Sequence, residues 1–262
     1  LRIKEKVFYF KDFFYRKEYN MEKLSVKDLF SNGIELLGKT VLMQGWVRTN
    51  RAQKEFGFLN VNDGSFLENV QVVYESSLSN FEEIQKYRVG SGVSVEGIIV
   101  KSPNVKQPYE LKATKVILEA DSPEDYPIQP KRHTREFLRE KAYLRMRTNL
   151  FSAVFRMRSK LAFAIHKFFQ EKNFIYVNTP LITSNDGEGA GEMFQVTTLD
   201  LERVAKEGKV DYTKDFFGKP VNLTVTGQLE GETYALAFKN IYTFGPTFRA
   251  ENSNTTRHAS EF

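Results

Sequence analysis

The sequence predicts an α+β chain in two parts, and three observations carry the prediction. Between Lys39 and Glu119, short runs of β-prone residues recur, separated by turns. One segment of helical spacing interrupts them after the third run. Beyond a proline-rich stretch, a long amphipathic pattern opens a region in which strands and helices mix. A length of 262 residues is enough for two such parts on the usual length prior.

The strands of the first part are Val41–Val47, Phe56–Val61 closed by a turn at Asn62-Asp63-Gly64, and Asn69–Tyr74. Ser79–Tyr87 is expected to be a helix, because Phe81, Ile84 and Tyr87 recur at helical spacing. Val93–Val100 and Tyr109–Leu118 complete five strands. Three strands, a helix, then two strands is the order of an OB-fold barrel. We therefore expect residues 21–120 to form that barrel. Asp121–Pro130 carries three prolines and little periodicity, so residues 121–149 are expected to be a linker or hinge.

In the second part, residues 150–262, Leu150–Lys172 puts Phe151, Val154, Phe155, Leu161, Ile165, Phe168 and Phe169 on one broad helical face. Asn173 suits its C-terminal cap. Strands are expected at Phe174–Asn178, Val221–Thr226 and Ile241–Glu251, with a helix at Leu229–Asn240.

Residues 1–20 read differently. LRIKEKVFYFKDFFYRKEYN holds seven aromatics and begins with Leu, and Met21 opens a more regular segment. The stretch is expected to be a non-native or disordered extension, read through from upstream of the true start. It has no uninterrupted apolar core or small-residue cleavage site of the kind a signal peptide needs. At the other end, Glu261-Phe262 falls inside an expected strand, so the sequence reads as truncated.

Composition sets further limits. Hydrophobic residues make up 41% and charged residues 27%, an ordinary globular mix. With no cysteine, disulfides and thiolate metal sites are excluded, which fits a reducing, cytoplasmic setting. No apolar run is long enough to cross a bilayer, so no membrane partner is expected. The formal net charge of +5 is compatible with nucleic acid. Ten Lys/Arg against two Glu between Lys131 and Lys160 suggest phosphate contacts, though a solvated helix face reads similarly.

The segment IYTFGPTFRAENSNTTRHASEF, residues 241–262, carries the most chemistry. Alternation along a strand places Thr247, Arg249 and Glu251 on one face. The polar turn Asn252–Thr256 returns through Arg257-His258, bringing Arg249, Arg257 and His258 to one locality. Arginines can bind phosphate oxygens bidentately, so a polyphosphate clamp is one reading. An exposed hairpin with a weak Arg249–Glu251 ion pair is the other. Asp186–Glu192 is glycine-rich but bears three carboxylates and is followed by no lysine, so it suits an ammonium group better than a phosphate. Thr224, Thr226 and Gln228 share a face, which sets Gln228 at a strand end.

This wording resembles motif 2 of the class II aminoacyl-tRNA synthetases: an Arg-x-Glu strand, a loop and a returning strand. TFGPTFRAENSNTTRH is similar to the asparaginyl type within the aspartyl, asparaginyl and lysyl group. The resemblance covers about residues 35–262 and implies an antiparallel catalytic sheet with flanking helices, of which residues 150–262 would be the front part. Arg249 would be the catalytic residue, holding the ATP α-phosphate and the amino-acid carboxylate. Glu251 would face the adenine side, Arg257 and His258 the outer phosphates, and Phe262 would stack on adenine. Helix Leu150–Lys172 and the strand ending at Pro180 resemble motif 1, which implies a homodimer interface when the protein is full-length.

The same resemblance gives Glu188 and Gln228 the substrate α-amino group. The aspartyl enzymes have a lysine three residues beyond that Gln. Here the position is Gly231, with Glu230 adjacent, which disfavours aspartate and favours a carboxamide donor. Glu230 is therefore expected to help select asparagine. In the first part, GWVRTNRAQKEFGFLNVNDGS and NVQVVYE resemble the group's anticodon-binding barrel. Phe58 would stack a base, Gln71 would bond the central uridine edge, and Arg51 would help the backbone. Phe58 could equally be barrel core, and Gln71 a solvent-facing strand residue.

Tyr143 and Met146 depart from the family's usual His and Pro at the junction, which touches hinge packing only. Motif 3 and the acidic Mg²⁺ ligands would lie beyond Phe262, so no metal ligand is expected within the chain and the active site would be incomplete. The resemblance implies ATP-dependent activation of asparagine and its ligation to tRNA(Asn), with ATP, Mg²⁺, asparagine and tRNA(Asn) as cofactors and partners. An aspartyl enzyme, discriminating or non-discriminating, and a non-catalytic tRNA-binding module are the alternatives.

Overall fold

The structure is a computed structural model that describes residues 21–103, 107–187, 189, 192–251 and 259–262. It divides into two compact units, one up to Met157 and one from Arg158 to Phe262.

The first unit opens with α1 (Val26–Leu36), capped by the Ser25 hydroxyl, which accepts the Asp28 N–H at 3.1 Å. Val26, Leu29, Gly33 and Leu36 face inward. Five strands follow: β1 (Thr40–Ala52), β2 (Phe56–Asn62), β3 (Val70–Glu75), β4 (Gly92–Lys101) and β5 (Tyr109–Ala120). They close into a barrel in the order β1-β2-β3-β5-β4, with α2 (Phe81–Ile84) between β3 and β4. This is the OB-fold expected from the strand order. β1 closes the ring by serving two ladders. Thr40–Trp46 pairs with β4 and Trp46–Ala52 with β2, with a register shift between Val47 and Thr49. β3 and β5 run parallel, Gln71 opposite Glu110.

The period-two pattern fills the interior. Leu59, Val61, Val70, Val72 and Tyr74 are fully buried, while Phe58, Asn60, Gln71 and Val73 face outward and are only half-buried. Tyr74 needs close backbone approach: a Cβ on Gly57 would lie 2.2 Å from its Cζ. The Tyr74 hydroxyl donates to Asn50 Oδ1 at 2.9 Å, and Asn50 Nδ2 donates to the carbonyls of Ile84 and Tyr87 at 2.8 and 3.2 Å. Asn50 thus satisfies carbonyls at the end of α2. That helix is shorter than the expected Ser79–Tyr87, because Lys86 and Tyr87 bond back three residues, to Glu83 and Ile84, and tighten the turn.

After the barrel, Tyr126, Ile128 and Leu138 form a small separate core within residues 121–149. Leu138 belongs to α3 (Arg135–Glu140), capped by the Thr134 hydroxyl. Arg147 stacks on Trp46, its guanidinium carbon 4.2 Å from the ring centre.

α4 (Asn149–Glu171) matches the expected long helix within a residue at each end. It stops in a Schellman motif. Asn173 takes φ 61°, its N–H bonds Gln170 O at 3.0 Å, and Phe174 N–H bonds Phe169 O at 3.0 Å. Phe169 and Phe174 pack edge to face across the motif at 5.3 Å.

The second unit then gives β6 (Ile175–Tyr176), β7 (Ile182–Thr183), β8 (Gln195–Val196), α5 (Leu201–Glu207), β9 (Val221–Leu223), α6 (Gln228–Phe238) and β10 (Ile241–Tyr242). β7, β9 and β8 form an antiparallel sheet in that order, and β10 pairs with β6 in parallel. The expected strand Ile241–Glu251 is broken at Gly245-Pro246, where proline lacks the N–H a ladder requires. The expected Val221–Thr226 ends at Leu223, because the Thr224 hydroxyl bonds the Thr226 N–H at 3.3 Å and turns the chain. The expected Phe174–Asn178 is reduced to β6. Asp215 ties another turn of this unit: it accepts the Thr197 hydroxyl at 2.6 Å and the Thr198 N–H, the Thr198 hydroxyl and the Phe216 N–H at 2.8 Å each.

Candidate functional site

Two constellations gather the residues singled out from the sequence, one in each unit. On the barrel, Arg51 comes from β1, Phe58 from β2 and Gln71 from β3, all on the outward face. They line one neighbourhood. The Arg51 guanidinium carbon is 5.5 Å from the centre of the Phe58 ring, and Arg51 Nη2 donates to Gln71 Oε1 at 3.1 Å. Phe56 meets Phe58 edge to face at 5.4 Å. Beside them, Phe56, Phe58, Gln71, Val73, Pro103 and Glu110 line an open groove of about 650 Å³.

Glu110, which sequence reasoning missed, organises this face. It is 8% exposed, accepts Gln71 Nε2 at 2.9 Å, and accepts the Ser102 hydroxyl at 2.7 Å. A carboxylate accepts hydrogen bonds, so the Gln71 nitrogen must be the atom turned toward it, which leaves the Gln71 oxygen on Arg51. The amide orientation is thereby fixed before any ligand arrives. An acidic residue within the otherwise apolar start of β5 was the available signal, but the parallel β3–β5 register that makes it Gln71's neighbour is not written in the strand itself. A half-buried ring flanked by a guanidinium and an oriented amide can stack an unpaired base and bond its edge.

In the second unit, Thr247–Ala250 is extended and bonded on both sides. Phe248 N–H reaches Thr224 O at 2.8 Å and Ala250 N–H reaches Glu192 O at 2.7 Å. On the other side, Thr247 and Phe262 exchange bonds of 2.9 and 3.1 Å, and Arg249 N–H meets Ser260 O at 3.0 Å. The hairpin return is thus present at 260–262. The Arg249 guanidinium carbon lies 5.4 Å from the centre of the Phe262 ring, and its Nε reaches Val225 O at 3.5 Å. Glu251 stands 3.9 Å from Arg249 Nη1, too far for a hydrogen bond, and both side chains are partly exposed. Among the described residues, Arg249 is held by the Phe262 ring and by backbone, with Glu251 at ion-pair distance, and no hydrogen bond occupies its Nη groups, which suits them to an anion.

Gln228, expected at a strand end, is instead the first residue of α6, five residues past the end of β9. Its Nε2 donates to Glu232 Oε1 at 3.2 Å, so its own oxygen is left to accept from an ammonium. Glu230, two residues on, accepts the Thr183 hydroxyl at 3.2 Å. Pro180 is exposed, and α4 buries none of its residues. Glu188, Arg257 and His258 lie outside the described residues. Among the described residues, no three His, Cys, Asp or Glu side chains gather to hold a metal ion, and no helix is long and apolar enough to cross a membrane.

Comparisons with known proteins bear on both constellations. The family model described as tRNA synthetases class II (D, K and N) matches residues 134–262, and that of the OB-fold nucleic acid binding domain matches residues 41–119. An asparagine–tRNA ligase of Clostridium acetobutylicum is 61% identical over 244 residues, 92% of this chain and 53% of the relative. One from Acholeplasma laidlawii is 60% identical over 242 residues, 91% of this chain and 52% of the relative. The chain thus spans about half the length of the curated relatives it matches. Among solved structures, asparaginyl-tRNA synthetase from Pyrococcus horikoshii, complexed with asparaginyl-adenylate, superposes with a TM-score of 0.77 at 26% identity, over 92% of this chain and 51% of that one. The Entamoeba histolytica asparaginyl-tRNA synthetase, at 21% identity and a TM-score of 0.71, covers 92% of this chain and 51% of its own and attests the fold.

Proposed function

The chain belongs to the class II tRNA synthetases of the D, K and N group, and from that premise we propose that the whole protein activates asparagine with ATP and joins it to tRNA(Asn). The observation that carries this reading is Arg249, on an extended segment hydrogen-bonded along both edges, with its guanidinium set against Phe262. In the proposed reaction a carboxylate oxygen of asparagine attacks the α-phosphorus, and the bond from that phosphorus to the leaving pyrophosphate breaks. A ribose hydroxyl at the tRNA end then attacks the acyl carbon and AMP leaves. No side chain acts as nucleophile. Arg249 binds the α-phosphate and steadies the charge that gathers there. Phe262 and Glu251 take the adenine side, Gln228 accepts from the substrate ammonium, and Glu230 meets the side-chain carboxamide. Glu188 joins Gln228, and Arg257 and His258 meet the outer phosphates. Mg²⁺ bound with ATP would neutralise phosphate charge. The described residues offer no gathered ligand set for it, so no step is assigned to it.

The barrel, residues 21–120, would read the anticodon through Arg51, Phe58 and Gln71, with residues 121–149 as the hinge and 150–262 as the front of the catalytic domain. A cytoplasmic homodimer joined through α4 and the segment ending at Pro180 completes the reading. Its test is ATP–pyrophosphate exchange with asparagine and with aspartate on the intact protein. Asparagine-dependent exchange that Arg249→Ala abolishes is expected. Near-wild-type exchange by that variant would remove Arg249 from its role. A second reading, tRNA binding without catalysis, is favoured by the self-contained Arg51–Gln71–Glu110 network. tRNA retained on a filter without any exchange would select it.

A further inference from the structure

One hydroxyl beside Glu230 has its direction fixed by its neighbours. Thr183 Oγ1 accepts the backbone N–H of Asn185 at 3.1 Å and lies 3.2 Å from Glu230 Oε1. An N–H can only donate, so Asn185 occupies a lone pair of the hydroxyl. The carboxylate of Glu230 accepts, so the Thr183 proton points at it. Both ends of this bond sit on ordered backbone. Thr183 is in β7, paired with Asn222 of β9, and Glu230 is the third residue of α6, next to the buried Gly231. The hydroxyl thereby holds one carboxylate oxygen of Glu230 in place.

We propose that Thr183 is a positioning residue for side-chain selection. By fixing Oε1, it directs the remaining acceptor capacity of Glu230 to a carboxamide N–H and against a second carboxylate. The inference rests on the reading of Glu230 as the asparagine selector. A loosely held carboxylate could swing away from an entering aspartate, whereas a pinned one keeps the repulsion in place. In sequence, Thr183 sits unremarked in LITSND, five residues before Glu188 and far from Glu230, so the pairing exists only once β7 and α6 are assembled.

The test uses two stable adenylate mimics, asparaginyl and aspartyl sulfamoyl adenosine, titrated calorimetrically into the intact protein. Wild type should prefer the asparaginyl compound. Thr183→Val keeps the β-branched shape but lacks the hydroxyl. It should cut that preference by about tenfold, the lower range for a hydrogen bond to a charged group. Thr183→Ser should restore it. In a Glu230→Gln background, Thr183→Val should change the preference no further, which a merely structural role would not predict. If Thr183→Val fails to fold by circular dichroism, Thr183→Ala carries the same expectation. An undiminished preference in the folded variant, or an equal loss in the Glu230→Gln background, overturns the proposal. A wild type that binds neither mimic, or both equally, overturns the asparagine reading itself and the proposal with it.

Discussion

Gln71 donates its amide N–H to the buried carboxylate of Glu110 across a 2.9 Å bond, while its carbonyl oxygen takes the guanidinium of Arg51 at 3.1 Å. The side chain is held at both ends, so a base edge would meet an amide already oriented. Glu110→Ala should therefore weaken binding of an asparagine anticodon stem-loop almost as much as Gln71→Ala does. The double variant should add little to either. Fluorescence anisotropy with the labelled stem-loop measures all three, and additive losses would separate the two residues.

Phe58 and Arg51 should differ in how their loss responds to salt. Phe58→Ala removes a stacking surface worth about 1–3 kcal/mol per base and leaves the salt dependence unchanged. Arg51→Ala should lower the slope of log K against log salt by about 0.7, as expected for one phosphate contact on a single strand. Titrations at several salt concentrations distinguish the two roles.

Gly57 should tolerate no side chain. A Cβ there would lie 2.2 Å from Tyr74, a fully buried ring whose hydroxyl is engaged by Asn50. Gly57→Ala should destabilise the barrel by about 1–3 kcal/mol, the usual cost of overpacking. Urea unfolding followed by the fluorescence of Trp46, the sequence's single tryptophan, reports it.

Asp215 should make the second unit sensitive to acid. The Thr197 hydroxyl, then the Thr198 N–H, hold its carboxyl well below the ordinary 3.8. A depressed acid contributes stability that is present above its unfolded value and is lost as the pH falls toward the folded one. The loss should begin below about pH 4. Asp215→Asn should be less stable than wild type at neutral pH, and the gap should narrow on acidification. Denaturant titrations followed by circular dichroism at neutral pH and at about pH 3 check the sign.

Asn173 should accept glycine and refuse a branched residue. Its φ of 61° is left-handed, a region that costs an ordinary residue about 1–2 kcal/mol. Asn173→Gly should keep or raise the melting temperature of the second unit, and Asn173→Val should lower it.

The barrel was legible because its period-two strands put Leu59, Val61, Val70 and Val72 inside and punctuate each turn, and α4 because its aromatic residues recur at helical spacing. Arg51, Phe58 and Gln71 were reached through the resemblance to the group's barrel, since alternation within a strand does not tell which residues of three strands share a face, and it left Phe58 open between core and surface. What the sequence left unread depends on pairings between distant segments. The parallel β3–β5 register brings Glu110 to Gln71, and the β7–α6 approach brings Thr183 to Glu230. The second unit's strands were expected too long, because Gly245-Pro246 and the Thr224 hydroxyl interrupt runs whose apolar content alone looks continuous.

Because β1 lends one half of its length to β2 and the other to β4, the five strands close into a ring that has no terminal strand to offer another chain. The two-residue strands β6 and β10 form a sheet of only two members and enjoy no such protection. After heating and cooling, the barrel should return to solution chemistry unchanged, and any precipitate should be seeded from the other unit.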